Sequence, residues 1–188
     1  MIKFYTNKEL SQIFSINLAK WKRWSREFLP PDPLGGLQSG YARQYNLDEA
    51  FTVFFGGHLV GNLKFTIPEA RTILHDLHQW LVDHEFYFDF SGNANPGNKS
   101  AHPVQGYQIA IISTNIPDDN LPGLRYQVKA IITSDSVNYK GAPMHQERFI
   151  ESSISVADDE AGQLAAASYR VLNISVLRQI FLGCVQPD

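Results

Sequence analysis

Three helix starts in the first half of the chain use the same pair of residue types. In each, a residue whose side-chain oxygen can cap a helix stands three positions before a glutamate. The three pairs are Thr6 with Glu9, Asn46 with Glu49, and Thr66 with Glu69. In such a pair each side chain accepts a hydrogen bond from the backbone N–H of the other residue, which satisfies two donors that a new helix leaves free. These pairs therefore predict where three helices begin.

The segment between the first two pairs predicts a helix with two unlike sides. Asn17 is its expected N-cap, and Pro30-Pro31 ends it because a proline disfavours helical backbone in the residue before it. Trp21 and Phe28 fall on one side at helical spacing, which predicts that they are buried. The basic residues of this helix are Lys20, Lys22, Arg23 and Arg26.

A glycine-rich stretch over residues 32–45 follows this helix. It contains three glycines and one more proline, a composition that predicts a hairpin. Tyr41, Arg43 and Tyr45 lie in the half of the stretch that leads into the next helix. Two further helices are expected over about 47–59 and 67–82, where apolar residues recur at core spacing.

The formal net charge of −3 is the sum of two unlike parts. Residues 1–45 contain seven Lys/Arg and three Asp/Glu, which gives +4. Residues 46–188 contain nine Lys/Arg and sixteen Asp/Glu, which gives −7. A basic N-terminal quarter can attract the phosphates of a nucleic acid even where the whole chain is acidic.

The composition disfavours several classes of protein. No apolar run approaches the roughly 20 residues that span a bilayer, and the N-terminus lacks the apolar stretch of a signal peptide. We therefore expect a cytoplasmic protein without membrane contact. The single cysteine, Cys184, excludes an intramolecular disulfide. His75 and His78 stand on the polar side of a helix without enough converging ligands, so neither a metal nor another cofactor is expected.

The second half of the chain has a different composition. Residues 91–100 are turn formers without an apolar anchor and predict a linker between a domain at 1–90 and a domain at 101–188. Strands are expected over about 107–114, 124–133 and 148–156, followed by a long apolar helix over about 159–182. No P-loop, nucleophile elbow, paired-cysteine motif or dinucleotide fingerprint is present, so the chain is not expected to be an enzyme.

Five segments of the first domain have a characteristic order and spacing. They are Tyr5-Thr6 with Glu9-Leu10, Trp21 through Pro31, Gly40 through Tyr45, Asp48-Glu49, and Phe65 through Ala70. In this order they resemble the MerR-type winged helix-turn-helix family of DNA-binding domains. The fold class expected is therefore α+β, with a MerR-like winged helix-turn-helix of four helices and a wing hairpin, and a C-terminal small antiparallel sheet with a long helix. No heptad pattern follows the fourth helix, where the family's dimerising helix stands.

Eight residues of this domain are candidates for DNA contact. A recognition helix offers a cationic face to the groove, and a wing grips phosphate through an arginine and tyrosine hydroxyls. By the resemblance, the positions of Tyr41 and Arg43 are those at which the family's wing contacts the DNA backbone. The candidates are Asn17, Lys20, Lys22, Arg23, Arg26, Tyr41, Arg43 and Tyr45.

The function expected is that of a DNA-binding transcriptional regulator on double-stranded DNA. Its second domain would form a homo-oligomer through the apolar helix at 159–182, sense an effector, or bind RNA polymerase or another protein. The alternative is a DNA-organising or packaging adaptor, since MerR-like winged helices also resemble those of recombination directionality factors and phage small terminase subunits. In that case the second domain would be an assembly surface.

Overall fold

The computed structural model of the chain describes residues 4–32, 42–88, 104–113, 123–154 and 169–185. Over these residues the protein is mixed α+β, with five helices, a two-stranded sheet and a four-stranded antiparallel sheet. The α+β class predicted from the sequence is confirmed. The chain divides into two compact units, one formed by Met1–Gly97 with Arg178–Asp188 and the other by Asn98–Leu177.

Four helices and two short strands make up the described part of the first unit before residue 89. They are β1 (Tyr5–Thr6), α1 (Asn7–Ile13), α2 (Leu18–Phe28), β2 (Gln44–Tyr45), α3 (Leu47–Gly61) and α4 (Ile67–Asp83). β1 and β2 are antiparallel, with Tyr5 opposite Tyr45. This pairing returns the segment after α2 to the start of α1.

All three predicted capping boxes are present. Thr6, Asn46 and Thr66 each accept a hydrogen bond from the backbone of the glutamate three residues later, and each glutamate side chain accepts one in return. Asn17 caps α2, because its Oδ1 accepts from two backbone N–H groups of the first turn at 2.9 and 3.3 Å. The helix starts are thus encoded within a few residues of each helix.

α2 lies close to α3 because α3 has two glycines at the contact. A methyl group at Gly57 would overlap the ring of Trp24, and one at Gly56 would overlap the ring of Phe28. Trp21 is 0% and Trp24 is 6% exposed. The tryptophans therefore belong to the core, and their burial determines which side of α2 faces solvent.

The first unit also contains the end of the chain's last helix, α5 (Ile174–Val185). Phe181 is fully buried and lies among four phenylalanine rings of the same unit, at centroid distances of 5.2 to 5.7 Å. These rings are Phe14, Phe51, Phe54 and Phe88. The first unit therefore includes a residue outside the predicted domain of residues 1–90, at the centre of this aromatic cluster.

The second unit contains a four-stranded antiparallel sheet. Its strands are β3 (Gly106–Ser113), β4 (Leu124–Tyr139), β5 (Ala142–Ile154) and β6 (Tyr169–Asn173), in the order β5-β4-β3-β6. β4 and β5 are longer than predicted, since they continue as a hairpin to a turn at Lys140 and Gly141. Both turn residues have positive φ, at 51° and 83°, which the tight turns that match the twist of a hairpin require.

The predicted helix at 159–182 is wrong over its described residues before Ile174. Residues 169–173 form strand β6, which pairs with β3, and residues 159–168 lie outside the described part of the chain. Leu172 is buried whereas its neighbour Val171 is exposed, an alternation with the period of a strand. The spacing of the apolar residues in this segment is compatible with a helix and with a strand. Pairing with β3 favours the strand.

None of the helices in the described ranges combines the length and the apolar character that crossing a bilayer demands.

We predict that Phe181→Ala lowers the free energy of unfolding of the first unit by about 3–5 kcal/mol, because it leaves a cavity inside a packed aromatic cluster. Ile180→Ala is the matched control, since Ile180 is 52% exposed and its loss should change stability by less than about 0.5 kcal/mol. The chain's three tryptophans, at 21, 24 and 80, all lie in the first unit, so denaturant unfolding followed by their fluorescence provides the measurement. Equal effects of the two substitutions would show that α5 is not part of this core.

Candidate nucleic-acid interface

The solvent side of α2 is the most cationic surface of the first unit's helices. Lys20, Lys22, Arg23 and Arg26 are all exposed, and the helix has no acidic residue in its first turn. Lys22 and Arg26 are four positions apart and Arg23 and Arg26 are three apart, spacings that place side chains next to each other on a helix. Three cations therefore share one surface opposite the buried tryptophans.

Lys20 lies at the edge of this surface. It is three positions from Arg23, a spacing that makes the two neighbours, but two positions from Lys22, which it does not face. Its ammonium group lies 4.8 Å from the centroid of the Trp24 ring. A cation over a ring face is attracted by the negative face of the ring. Among the four predicted basic residues, Lys20 therefore differs from the other three in its contact with a ring of the core.

A groove of about 910 Å³ runs beside this surface. Four cations line it, namely Lys8, Lys22, Arg26 and Arg43, against the single carboxylate of Asp32. Lys8 comes from α1 and was not among the residues chosen from the sequence, because one lysine in a short helix gives no pattern. A concave surface with one sign of charge concentrates ions of the opposite sign, so the groove suits a phosphate backbone.

Tyr45, predicted to donate to phosphate, is buried and hydrogen-bonded within the protein. It is 1% exposed, and its hydroxyl donates to Oδ1 of Asn7 at 2.6 Å. Since that hydroxyl has one proton, it accepts from Ser25 Oγ, which lies at 2.7 Å. The phenol joins the starts of α1 and α3 to the middle of α2, and no donor is left for a phosphate.

Burial also raises the pKa of the Tyr45 phenol above its ordinary value of 10.0. The hydrogen bond with Ser25 and the charge of Arg43 act in the opposite direction but are weaker than the loss of hydration. The unfolded chain therefore ionises this phenol at a lower pH than the folded chain. Its contribution to stability is complete below about pH 10 and is lost as the pH rises further.

Arg43 has structural partners on both of its terminal nitrogens. Nη1 donates to the carbonyl oxygen of Pro30 at 2.8 Å, and Nη2 lies 2.9 Å from the Glu49 carboxylate. The guanidinium also lies 5.5 Å from the Tyr45 ring centroid. Arg43 thus fastens the end of α2 to the capped start of α3. It lines the groove, but two of its five N–H donors are used within the protein.

Two further predicted residues have different outcomes. Asn17 is exposed. Its side-chain oxygen caps α2, so its amide NH₂ group is the part of the side chain that could contact a ligand. Tyr41 lies outside the described residues, as does the predicted tip of the hairpin at 33–40.

The structure adds one contact that sequence analysis missed. Glu27 of α2 forms an ion pair with Arg71 of α4, and Arg71 also donates to the Glu27 carbonyl oxygen at 2.8 Å. The partners are far apart in sequence and neither lies in a motif, so no local signal connects them. This ion pair neutralises Glu27, the one acidic residue of α2, so the charge that the helix presents comes from its basic residues.

Comparison with known proteins finds no match for this chain among protein-family models, curated proteins or solved structures. The charge, burial and hydrogen bonding of these residues are therefore the basis for interpreting the site.

We predict that Tyr45→Phe lowers the free energy of unfolding by about 1–3 kcal/mol, since it leaves Asn7 and Ser25 without their buried partner. Tyr139→Phe, at an exposed position, is the control and should have little effect. Urea unfolding of both variants between pH 7 and 11 tests this. The wild type should lose its advantage over Tyr45→Phe above about pH 10, and a constant difference across this range would contradict the assignment.

Proposed function

We propose that the protein binds double-stranded DNA through the solvent side of α2. The observation that carries the proposal is that Lys22, Arg23 and Arg26 are exposed on one side of a helix whose other side is anchored in the core by two tryptophans. None of the three forms an ion pair with another described residue. Cations held in this way can neutralise phosphates and release their counterions, which favours binding.

We further propose that residues 4–82 form a MerR-like winged helix-turn-helix. The order β1-α1-α2-β2-α3-α4 supports it, as does the short connection of residues 14–17 between α1 and α2. The pairing of β1 with β2 places the segment after α2 beside the start of α1, where a wing would flank the recognition helix. In this arrangement α2 enters the major groove of the DNA. The protein's own groove, lined by Lys8, Lys22 and Arg26, receives the backbone of one DNA strand.

The most economical role for such a module is transcriptional regulation, with the second unit as the site of self-association or of contact with RNA polymerase or another protein. A single short recognition helix reads few base pairs, so a regulator gains specificity by presenting two of them on one duplex. A DNA-organising or packaging adaptor is the second candidate. It is favoured by the end of α4 at Asp83, with His84 as its cap, because α4 does not extend into a long dimerising helix.

We predict that Arg23→Ala and Arg26→Ala each weaken DNA binding by about 1–3 kcal/mol if their guanidinium groups reach base edges. Binding by the wild type should also fall steeply with salt, and each substitution should reduce the slope of log K against log salt by about 1. Fluorescence anisotropy with a labelled duplex, repeated at several salt concentrations, measures both quantities.

Two controls make this test specific. Lys140→Gln removes one positive charge from the second unit, and Lys20→Ala removes one from the edge of the α2 surface, where the ammonium group lies over the Trp24 ring. Both should weaken binding less than Arg26→Ala does. If all four substitutions had the same small effect, net charge and not the α2 surface would explain any binding, and the proposal would fail.

Genome-wide mapping of bound sites separates the two candidate functions. A regulator should occupy a few sites next to promoters, because sequence-specific complexes are typically 10³–10⁷ times tighter than non-specific ones. An adaptor should give broad occupancy or a single site used by a larger machine. Occupancy that is unchanged in the Arg26→Ala variant would argue against both.

A further inference from the structure

The β4–β5 hairpin extends beyond its sheet as a two-stranded ribbon. β3 pairs with β4 only as far as Ile131, whereas β4 and β5 continue through seven more residue pairs, from Thr133 opposite Arg148 to Tyr139 opposite Ala142. At about 3.4 Å per residue the ribbon is roughly 20 Å long. Over these residues neither strand has another partner among the described strands. An isolated two-stranded hairpin is marginally stable in water, so this length needs an explanation.

The two faces of the ribbon are chemically unlike. Register and alternation place Val137, Tyr139 and Met144 on one face, and all three are 37–57% exposed. Ile150 continues this face into the sheet, where it lies opposite Ala130. We call this face the apolar ribbon face. The opposite face presents Ser134, Ser136, Asn138, His145 and Glu147.

Side chains on the polar face already have hydrogen-bond partners or a covering cation within the hairpin. His145 lies 3.1 Å from Ser134 Oγ and 3.3 Å from the Glu147 carboxylate. Phe149 is the hairpin's other large exposed apolar residue and lies on this side, where the Lys129 ammonium covers its ring at 3.7 Å. Among the described residues, Lys140 alone covers part of the apolar ribbon face, where its ammonium group lies over the Tyr139 ring.

We infer that the apolar ribbon face is a self-association surface that binds the same face of a second copy of this chain. This inference rests on the proposed self-association of the second unit and does not depend on DNA binding. It differs from the interface predicted on the last helix, where Leu177 and Phe181 are buried.

Charge complementarity identifies the occupant as a second copy. The apolar ribbon face contains one acidic residue, Asp135, and one basic residue, Arg148, and neither forms an ion pair with another described residue. If two copies face each other about a two-fold axis along the ribbon, which is one form of isologous contact, β4 of one copy lies over β5 of the other. Val137 then faces Met144 of the partner subunit, and Asp135 lies diagonally across from Arg148 of the partner subunit, so that opposite charges approach each other across the contact.

A nucleic acid is a poor occupant for the same surface. The ionised residues of the ribbon are Asp135, Lys140, Glu147 and Arg148, and their charges sum to zero. A neutral ribbon releases no counterions from DNA, whereas it can pair with its own two-fold image without net repulsion.

Sedimentation velocity of the full-length protein, without DNA and over a range of micromolar concentrations, tests the inference. The wild type should dimerise, and Val137→Asp should weaken the dimer by about 30-fold or more, as expected for a central interface residue. Ser136→Asp places the same charge one residue away on the polar face and should leave the dimer unchanged. A monomeric wild type, or a dimer that both substitutions affect equally, overturns the inference.

A charge exchange provides a second test that does not depend on burying a charge. Asp135→Arg and Arg148→Asp should each weaken the dimer, because each places like charges opposite one another. An equimolar mixture of the two variants should form a heterodimer, since every pair across the interface then joins opposite charges. No recovery in the mixture overturns the proposed pairing. DNA binding by the same variants is measured separately, so that failure here and failure of the α2 proposal are distinguishable.

Discussion

The burial of Trp21 and Trp24 determines how the first unit presents its charge. Both rings lie in the core, and Trp24 reaches α3 where Gly57 leaves space for it. Once two positions of α2 are fixed against the core, the helical repeat of about 3.6 residues fixes the direction of all the others. The cationic side of α2 is therefore set by the packing of aromatic rings, and its geometry depends on residues that never contact a ligand.

The hydrogen bonds around Tyr45 keep that helix in place. The phenol connects Asn7 and Ser25. Arg43 connects the end of α2 to the Glu49 carboxylate, which accepts from the Asn46 N–H at the start of α3. Charged and polar groups that appear suited to DNA contact are thus used to position α2. Tyr45 and Arg43, both predicted to contact DNA, thus have partners within the first unit.

The parts of the fold that could be predicted from sequence are those whose cause is local. A capping box depends on two residues three positions apart, so the helix starts could be predicted. A tryptophan at helical spacing predicts its own burial, so the two sides of α2 could be predicted as well. Other features depend on distant partners. Nothing near residue 169 indicates that β3 will pair with it, and nothing near Glu27 indicates Arg71. The ribbon was missed because polar residues at 133–148 lack the apolar alternation of a strand that lies on a core.

The position of Phe181 has a consequence for how the protein is made. Chains emerge from the ribosome N-terminus first, and domains usually fold as units during synthesis. Here the first unit receives a central ring of its aromatic cluster from residues that are translated after the whole second unit. While the whole second unit is synthesised, the cluster therefore lacks the ring that packs against Phe14, Phe51 and Phe54. The nascent chain has an apolar site to protect during this interval, and any premature stop before α5 would leave the site permanently open to aggregation or to chaperones.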